Sequence, residues 1–270
     1  MLIINSGLGK LDRERLSAIL RGTKGTITNS QAAQITGLKQ PEASKLLARW
    51  CHKGWLSRVA RGLYVPVPFE SERSDLPLDD PWLVAISLYS PCYIGGWSAA
   101  EYWGLTEQIF RTTLVMSTTR PRNRRPMFKG SAFWVSTVAP EKVFGLKAVW
   151  RGATKVLVSD PNRTLVDMLS DPHFGGGIRA VQDVLRNYLV SDTKNLSQLL
   201  EYAERLSNGA VFKRLGFLLE TNAPQEGDAI KRCRQNLTMG NARIDPKLPA
   251  EALVAKWRLW LPSEWKAGVK

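Results

Sequence analysis

Residues 28–52 read TNSQAAQITGLKQPEASKLLARWCH, and this stretch decides the fold of the first quarter of the chain. Thr28 stands three residues before Gln31, the spacing of a capping box, which predicts a helix over Asn29–Thr36. Gly37 follows, and glycine commonly ends a helix because it tolerates left-handed backbone angles. We therefore expect a short helix, a tight turn that buries Leu38, and then a second helix.

The second helix has an apolar face that continues over two turns. Pro41 suits the first turn of a helix, where no backbone donor is needed. Apolar side chains recur three and four positions apart, as on one face of a helix, at Ala43, Leu46, Leu47, Trp50 and Cys51. The opposite face is polar and mostly basic, and carries Gln40, Glu42, Ser44, Lys45, Arg49 and Lys53. Two helices joined by a glycine-containing turn, the second with such an outer face, are typical of a helix-turn-helix.

The segments on either side complete a larger unit. Residues 10–21 carry a helical stripe of apolar side chains and predict a preceding helix. A hairpin is predicted after the second helix, with strands Trp55–Val59 and Leu63–Val65 around a turn that contains Gly62. Arg58 and Arg61 place positive charge on this hairpin. We therefore predict a winged helix-turn-helix over residues 1–66, and we expect it to bind double-stranded DNA.

Geometry assigns expected roles to the polar residues of this unit. The first turn and a half of a recognition helix enters the major groove, so we expect Gln40, Ser44 and Lys45 to face bases. Side chains further along the helix and on the wing reach the backbone of the duplex. The residues expected to hold phosphate are Arg49, Lys53, Arg58 and Arg61.

The distribution of charge agrees with a polyanionic partner. The chain carries 38 Lys and Arg against 24 Asp and Glu, a net charge of +14. Residues 1–66 hold 11 basic and 3 acidic side chains, whereas residues 67–270 hold 27 and 21. A concentrated positive field favours the capture of nucleic acid. Charge alone is equally compatible with an ordinary soluble basic surface.

The remainder of the chain predicts a second, larger unit. Residues 67–80 are polar, acidic and proline-containing, and are predicted to be a linker. Residues 81–270 alternate helix and strand patterns and end in a helical stretch, so the fold class is α/β (α+β) with a mixed α/β domain after the winged helix. Helices are expected at Pro81–Tyr89, Ser98–Trp103 and Asn162–Leu169, and from Ile178 to about Cys233. Strands are expected at Cys92–Ile94, Thr113–Ser117, Ala132–Ser136 and Lys155–Ser159, and a weak one at Lys256–Leu261.

A basic segment, TTRPRNRRPMFKG (residues 118–130), lies between two of these strands and contains no acidic residue. We expect a long exposed loop. One interpretation is a solvated hairpin tip, since charge runs usually face solvent. The other is a second phosphate-binding surface, for the operator or for an RNA, on which Met127 and Phe128 could stack. The cations of this candidate surface are Arg120, Arg122, Arg124, Arg125 and Lys129.

The sequence offers no catalytic constellation. It has no phosphate-binding GxxxxGK[ST] loop and no GxSxG elbow. With two histidines and three cysteines far apart, we expect neither a metal site nor any other cofactor. Glu264-Trp265-Lys266 has the E-x-K spacing of some metal-dependent nucleases, but no second carboxylate can be paired with it, so we expect no enzyme.

Composition also bears on the cellular compartment. Three cysteines without disulfide spacing suit a reducing cytoplasm. No apolar stretch approaches the roughly 18–20 residues that cross a bilayer. The first residues lack the basic-then-apolar pattern of a secretory signal. We therefore expect a cytoplasmic protein with no membrane partner.

Several blocks of the sequence together resemble the AbiE-type antitoxins, the AbiEi family of transcriptional regulators of type IV toxin–antitoxin systems, to about residue 220. The wing residues are common among regulators, whereas an aromatic Gly-Trp-Ser block and its companions narrow the choice. The blocks are Gln31-Ala32-Ala33, Gly37-Leu38, Leu46 to Trp50, Arg61-Gly62-Leu63-Tyr64-Val65, Tyr93 to Thr106, Val158 to Leu169 with Arg163-Thr164-Leu165 and Asp167, and Lys213-Arg214-Leu215-Gly216.

This resemblance implies a repressor that binds inverted repeats upstream of its own operon and serves in abortive infection. It also implies neutralisation of a nucleotidyltransferase-like toxin without a stable complex, by the region after the winged helix. No coiled-coil heptads are visible, so the sequence leaves the oligomeric state open, and monomers that pair on the inverted repeats are one arrangement. The alternative is a stand-alone winged-helix regulator whose α/β domain senses a ligand or a partner.

Overall fold

A computed structural model describes residues 9–67 and 78–268 of the protein. Residues 68–77, most of the predicted linker at 67–80, lie outside the described residues. The N-terminal unit consists of helix α1 (Lys10–Gly22), strand β1 (Ile27–Thr28), helices α2 (Asn29–Thr36) and α3 (Gln40–His52), and strands β2 (Leu56–Ala60) and β3 (Leu63–Pro66).

The predicted start and end of α2 are confirmed in atomic detail. The Thr28 hydroxyl accepts a hydrogen bond from the Gln31 amide at 3.2 Å, and the Gln31 side chain accepts one from the Thr28 amide at 2.9 Å. These two bonds satisfy backbone donors that the helix itself leaves unpaired. Gly37 ends α2 with a φ of 69°, in the left-handed region.

Helix α3 packs its apolar face into the centre of the N-terminal unit. Trp50 and Leu47 are fully buried, and the Trp50 and Trp55 rings lie 6.4 Å apart. Strands β2 and β3 form the wing, and β1 pairs with β3 to give a three-stranded sheet in the order β1-β3-β2. The predicted winged helix-turn-helix is confirmed, and β1, whose two residues were too few for a sequence signal, is added to it.

The larger unit consists of a part that is mostly strands, followed by a run of helices and three short strands. Its first part holds helix α4 (Pro81–Tyr89), strand β4 (Cys92–Ile94), helix α5 (Gly96–Tyr102) and strands β5 (Thr112–Ser117), β6 (Met127–Phe128), β7 (Ser131–Thr137), β8 (Leu146–Arg151) and β9 (Thr154–Ser159). Its second part holds helices α6 (Pro161–Ser170), α7 (Ile178–Val190), α8 (Leu196–Leu206), α9 (Gly209–Asn222) and α10 (Gly227–Gln235), and strands β10 (Ala242–Arg243), β11 (Ala252–Val254) and β12 (Leu259–Leu261). The predicted mixed α/β fold with a helical stretch is confirmed.

A mixed sheet of six strands, in the order β6-β7-β5-β4-β9-β8, forms the middle layer. Neighbouring residues of β5 point to opposite faces of the sheet, as a strand requires. Leu114 packs with α5 to α9, whereas Val115 packs with Trp82 and Val84 of α4. The sheet is therefore covered on both faces, by the large helical layer on one side and by α4 on the other.

The wing lies against the α4 side of this sheet. Val59 of β2 and Leu63 of β3 belong to the same apolar cluster as Trp82. The Thr26 and Ser87 hydroxyl oxygens are 2.8 Å apart, which joins the N-terminal unit to α4. Leu78 at the far end of the linker segment is buried in the same cluster. These contacts attach the wing to the larger unit.

The structure corrects several predicted boundaries. Helix α5 begins at Gly96, and Ser98 does not cap it: the Ser98 hydroxyl accepts a hydrogen bond from the Leu114 amide of β5 at 2.9 Å. The predicted strand Lys256–Leu261 is strand only from Leu259, after a 3-10 turn at Ala255–Trp257. The sequence prediction omitted strands that are short or that lie at sheet edges, namely β6, β8, β10 and β11.

No helix among the described residues is long and apolar enough to span a bilayer.

Gly216 of α9 offers a test of the packing between the helical layer and the C-terminal sheet. A Cβ atom there would lie 2.1 Å from the Trp257 ring, and Trp257 is fully buried. We expect Gly216→Ala to lower the free energy of unfolding by about 1–3 kcal/mol, because the core would be overpacked. Gly227→Ala is the matched control, since a Cβ atom there meets nothing within 4 Å. Urea unfolding of both variants measures the difference, and equal stabilities would contradict the packing role of Gly216.

Candidate nucleic-acid interface

The outer face of α3 presents the residues predicted to meet bases. Gln40 and Lys45 are exposed. Ser44 is half-buried, and its hydroxyl accepts a hydrogen bond from the Asn29 side-chain amide at 3.3 Å. Lys45 and Gln40 thus have their polar atoms in solvent, whereas the Ser44 hydroxyl also ties α3 to α2.

Asn29 connects α3 to the wing as well. Its backbone N–H donates to the Gly62 carbonyl at 3.3 Å, and a Cβ atom at Gly62 would lie 3.3 Å from the Asn29 side-chain nitrogen. Gly62 itself has a φ of 76°, which favours glycine in the wing turn. A single residue at the start of α2 therefore holds α3 and the wing turn in register. The sequence prediction gave Asn29 no such role, because its partners lie 15 and 33 positions away.

Two of the cations predicted to hold phosphate already have partners within the domain. The Arg49 guanidinium lies 2.7 Å from the Asp12 carboxylate and is about half exposed. The Lys53 ammonium lies 4.7 Å from the centre of the Trp55 ring. An exposed ion pair contributes only about 0–1 kcal/mol, so a phosphate could compete for Arg49 at little cost.

The wing carries two exposed arginines. Arg58 lies on β2, and its Nε atom donates to the Ala60 carbonyl at 3.4 Å. The pairing of β2 with β3 shifts register between Arg58 and Ala60, a local irregularity beside the tip. Arg61 occupies the turn itself and is exposed. Lys39, the exposed residue before α3, adds a further cation that the sequence prediction left out.

The basic segment 118–130 is more ordered than a long free loop. Met127 and Phe128 form β6, and the Val135 amide of β7 donates to the Arg124 carbonyl at 2.8 Å. Phe128 is half-buried against Phe133 at a ring distance of 5.9 Å, so it serves the core edge and is not free to stack on a base. Arg120, Arg122, Arg124 and Arg125 are exposed, and Lys129 is half-buried.

The aromatic block around Gly96-Trp97 has a structural purpose. A Cβ atom at Gly96 would lie 2.3 Å from Leu114 and 2.4 Å from the Phe174 carbonyl oxygen, so only glycine fits. The Trp97 indole donates to the Thr112 carbonyl, and the Trp103 indole to the Ser159 carbonyl, both at 2.7 Å. This block joins α5 to strands β5 and β9.

A buried network accounts for the Arg163 to Asp167 motif of α6. Arg163 is fully buried, and its guanidinium lies 2.9 Å from the Asp167 carboxylate and 3.1 Å from the Tyr93 hydroxyl. Tyr93 in turn donates to Asp167 at 3.1 Å. Burial, and then the nearby carboxylate, raise the pKa of the Tyr93 hydroxyl well above its usual value, so the phenol keeps its proton.

The Lys213-Arg214-Leu215-Gly216 motif anchors α9. The Arg214 guanidinium donates to the Leu169 carbonyl at 2.7 Å, near the end of α6, and to the Arg243 carbonyl at 2.9 Å. Lys213 donates to the Thr238 hydroxyl at 2.9 Å. Both cations are buried and hydrogen-bonded within the fold, so neither can serve as a nucleic-acid contact.

The other motifs considered for catalysis are occupied by structural contacts. Glu264 forms an ion pair with Arg179. In the part of the chain that the structure describes, no group of three or more His, Cys, Asp or Glu side chains could hold a metal ion.

Comparison with solved structures identifies a protein of the same fold. The crystal structure of the RV2827C protein from Mycobacterium tuberculosis superposes with a TM-score of 0.63 over 94% of this chain and 92% of that chain, at 17% sequence identity. No curated protein matches the sequence.

The comparison with family models concerns the winged helix. Residues 14–67 match the model described as a transcriptional regulator, AbiEi antitoxin. The matched segment runs from within α1 to the end of the wing, and includes α3 with its exposed polar face. The N-terminal winged helix of this protein is therefore similar, over residues 14–67, to the AbiEi antitoxin transcriptional regulators that this model describes.

Proposed function

We propose that this protein is a DNA-binding antitoxin that represses its own operon. The observation that carries the proposal is the exposed face of α3 beside an arginine-tipped wing, both held by Asn29, within the segment that matches the AbiEi regulator model. A recognition helix in the major groove with a wing on the backbone is the docking geometry that these elements fit.

In this proposal the residues divide into two classes. Gln40 and Lys45 read base edges, with Ser44 supporting them through Asn29. Arg49, Lys53, Arg58 and Arg61 hold phosphates, and Lys39 adds to them at the start of α3. Arg49 exchanges its single contact with Asp12 for a phosphate when DNA binds, because a phosphate can accept two parallel hydrogen bonds from a guanidinium.

The operator consists of inverted repeats, with one monomer on each half-site. The antitoxic activity resides in the region after the winged helix and acts on a nucleotidyltransferase-like toxin encoded beside this gene, without a stable complex. Resemblance to the AbiE-type antitoxins supports this half of the proposal, and the contacts of the wing with α4 give the two units a shared surface. A cytoplasmic location follows from a partnership with operator DNA.

Co-expression with the adjacent gene tests the antitoxin half. Growth of cells that express the neighbour alone is compared with growth when this protein is also present, and we expect rescue. A Lys45→Ala, Arg61→Ala double variant should still rescue when both genes are driven from foreign promoters, since neither residue lies in the larger unit. If the product of the adjacent gene is not toxic, or if it stays toxic when the wild-type protein is present, the proposed antitoxin activity is wrong. The proposed repressor activity is not affected by either result.

Titration of DNA binding against salt distinguishes the residues proposed to read bases from those proposed to hold phosphates. Lys45→Ala should weaken binding to the operator by about 1–3 kcal/mol and lower the preference over unrelated DNA. Arg61→Ala should weaken binding to both DNAs alike and reduce the slope of log K against log salt by about one. Fluorescence anisotropy measures both, with Lys231→Ala on α10 as the charge-matched control. Unchanged operator preference in Lys45→Ala would show that this side chain does not read a base.

The bridging role of Asn29 calls for a double-mutant cycle. Asn29→Ala and Ser44→Ala each remove one side of the 3.3 Å hydrogen bond. Asn29→Ala should weaken operator binding by about 1 kcal/mol because α3 loses its side-chain contact with the start of α2, while the backbone bond to Gly62 is kept. The effects of the two substitutions should be non-additive by about 0.5 kcal/mol or more. Operator affinities of both single variants and the double variant complete the cycle. Strict additivity would mean that the contact does not position α3.

A further inference from the structure

The larger unit contains a cavity that the proposed function does not use. It has a volume of about 430 Å³ and lies between the β6–β7 end of the sheet and the segment that leads into α7. This size falls in the range of small-molecule sites. Since its lining comes from residues 97–134, 173–177 and 247, the cavity is distinct from the α3 and wing surface.

One wall of the cavity is aromatic and firmly held. The Trp97 ring stacks on Phe110 at 5.1 Å with an angle of 10°, and contacts Trp134 at 5.3 Å. Trp134 also packs on Phe174 at 5.5 Å. The Trp97 and Trp134 rings are tilted by 47° to each other, so a planar ligand would stack on one ring and contact the edge of the other. Because these rings are already packed, such contact requires little further ordering of the protein.

The mouth of the cavity is cationic. Arg125 is exposed, and its guanidinium lies 4.9 Å from the centre of the Trp134 ring. Lys247 is exposed on the opposite lining segment. No Asp or Glu occurs among the described residues that line the cavity. The nearby Asp245 carboxylate is already engaged, since it accepts from the Ile178 amide at 2.9 Å and the Lys247 amide at 2.9 Å.

His173 also lines the cavity, and a neighbouring carboxylate holds its ring. Its Nδ1 atom lies 2.9 Å from the Asp171 carboxylate, which fixes the ring. Its Nε2 atom is buried and makes no hydrogen bond among the described residues. His173 therefore belongs to the fixed wall of the cavity, and its buried Nε2 atom is not itself accessible to a ligand.

Beside the cavity, the chain supplies a track of further cations. Arg120, Arg122 and Arg124 precede Arg125 in the exposed part of the basic segment. A single-stranded nucleic acid needs such a combination, an electropositive track for its phosphates and an aromatic surface for an unstacked base. A duplex cannot insert a base there without unpairing it.

We propose that this cavity binds one nucleotide of a single-stranded nucleic acid, with the base against Trp97 and Trp134. Arg125 and Lys247 hold the flanking phosphates, and the remaining arginines of the basic segment continue the track. The proposal goes beyond operator recognition and assigns to residues 120–125 a ligand other than the operator. A free mononucleotide offers the same chemistry, and the experiment below distinguishes the two sources.

Fluorescence anisotropy of the full-length protein with a labelled single-stranded RNA of about 12 nucleotides, and with the DNA of the same sequence, tests the site. Arg125→Ala should weaken strand binding about tenfold and Lys247→Ala about threefold. Arg125→Lys, which keeps the charge but loses the planar group, should fall between wild type and Arg125→Ala. Lys231→Ala removes the same charge from α10 and should change affinity by less than about twofold.

The operator duplex is titrated in parallel, so that the proposal for the cavity and the proposal for the winged helix are tested independently. Lys45→Ala should reduce operator binding and leave strand binding intact, and Arg125→Ala should do the reverse. The proposal is overturned if Arg125→Ala matches Lys231→Ala on the strand, or if it weakens the duplex as much as the strand. If AMP displaces the labelled strand in a way that depends on Arg125, a free nucleotide is a sufficient ligand. If AMP does not displace the strand, while strand binding still depends on Arg125, the site is assigned to the strand.

Discussion

The larger unit depends on the buried guanidinium of Arg163, which is fully removed from solvent. A charge removed from water destabilises a fold unless it is paired and hydrogen-bonded. Arg163 is paired with Asp167 on the next turn of α6 and hydrogen-bonded to Tyr93 on β4, and its guanidinium lies 4.1 Å from the Phe144 ring centre. Its Nη1 atom has no hydrogen-bond partner among the described residues. The ion pair with Asp167 lies within α6, whereas the hydrogen bonds of both residues with Tyr93 join α6 to β4, so the position of α6 against the sheet depends on buried polar contacts as well as on packing. Helices α7, α8 and α9, which follow α6, pack against it, so their positions depend on the position of α6.

Arg214 extends the same constraint into the helical layer. Its guanidinium satisfies carbonyls near the end of α6 and in the strand segment around Arg243, which the helix and the short sheet leave unpaired. Gly216, one turn away from Lys213 on α9, lets the buried Trp257 ring approach the helix backbone. In this region, the side chains of the motifs that resemble the AbiE-type antitoxins are therefore used to hold the fold together. A ligand or partner has to be sought on the surfaces that they leave exposed.

Two exposed surfaces have the chemistry of nucleic-acid binding, and they differ in kind. The α3 and wing surface combines an exposed helix face with a hairpin, and Asn29 keeps its two parts in register, which suits the groove and backbone of a duplex. The cavity beside Arg125 is concave and aromatic, which suits an unstacked base. The contacts of Val59 and Leu63 with the Trp82 cluster join the wing to the unit that holds the cavity.

Local chemistry let the sequence determine the winged helix almost to the residue: the Thr28–Gln31 capping box, Gly37 and the apolar stripe through Trp50 each act within a few positions. Helices α4 and α6 were predictable for the same reason, since Asp80 and Asp160 cap helices opened by proline. Only the tertiary structure decided the rest. Two-residue strands such as β1 exist because β3 offers partners, and Asn29 bridges α3 and the wing across 15 and 33 positions. Arg125 meets Trp134, nine positions away, only because β6 pairs with β7 and places the basic segment beside that strand. The sequence indicated a hairpin here but not the ring that its arginine would contact.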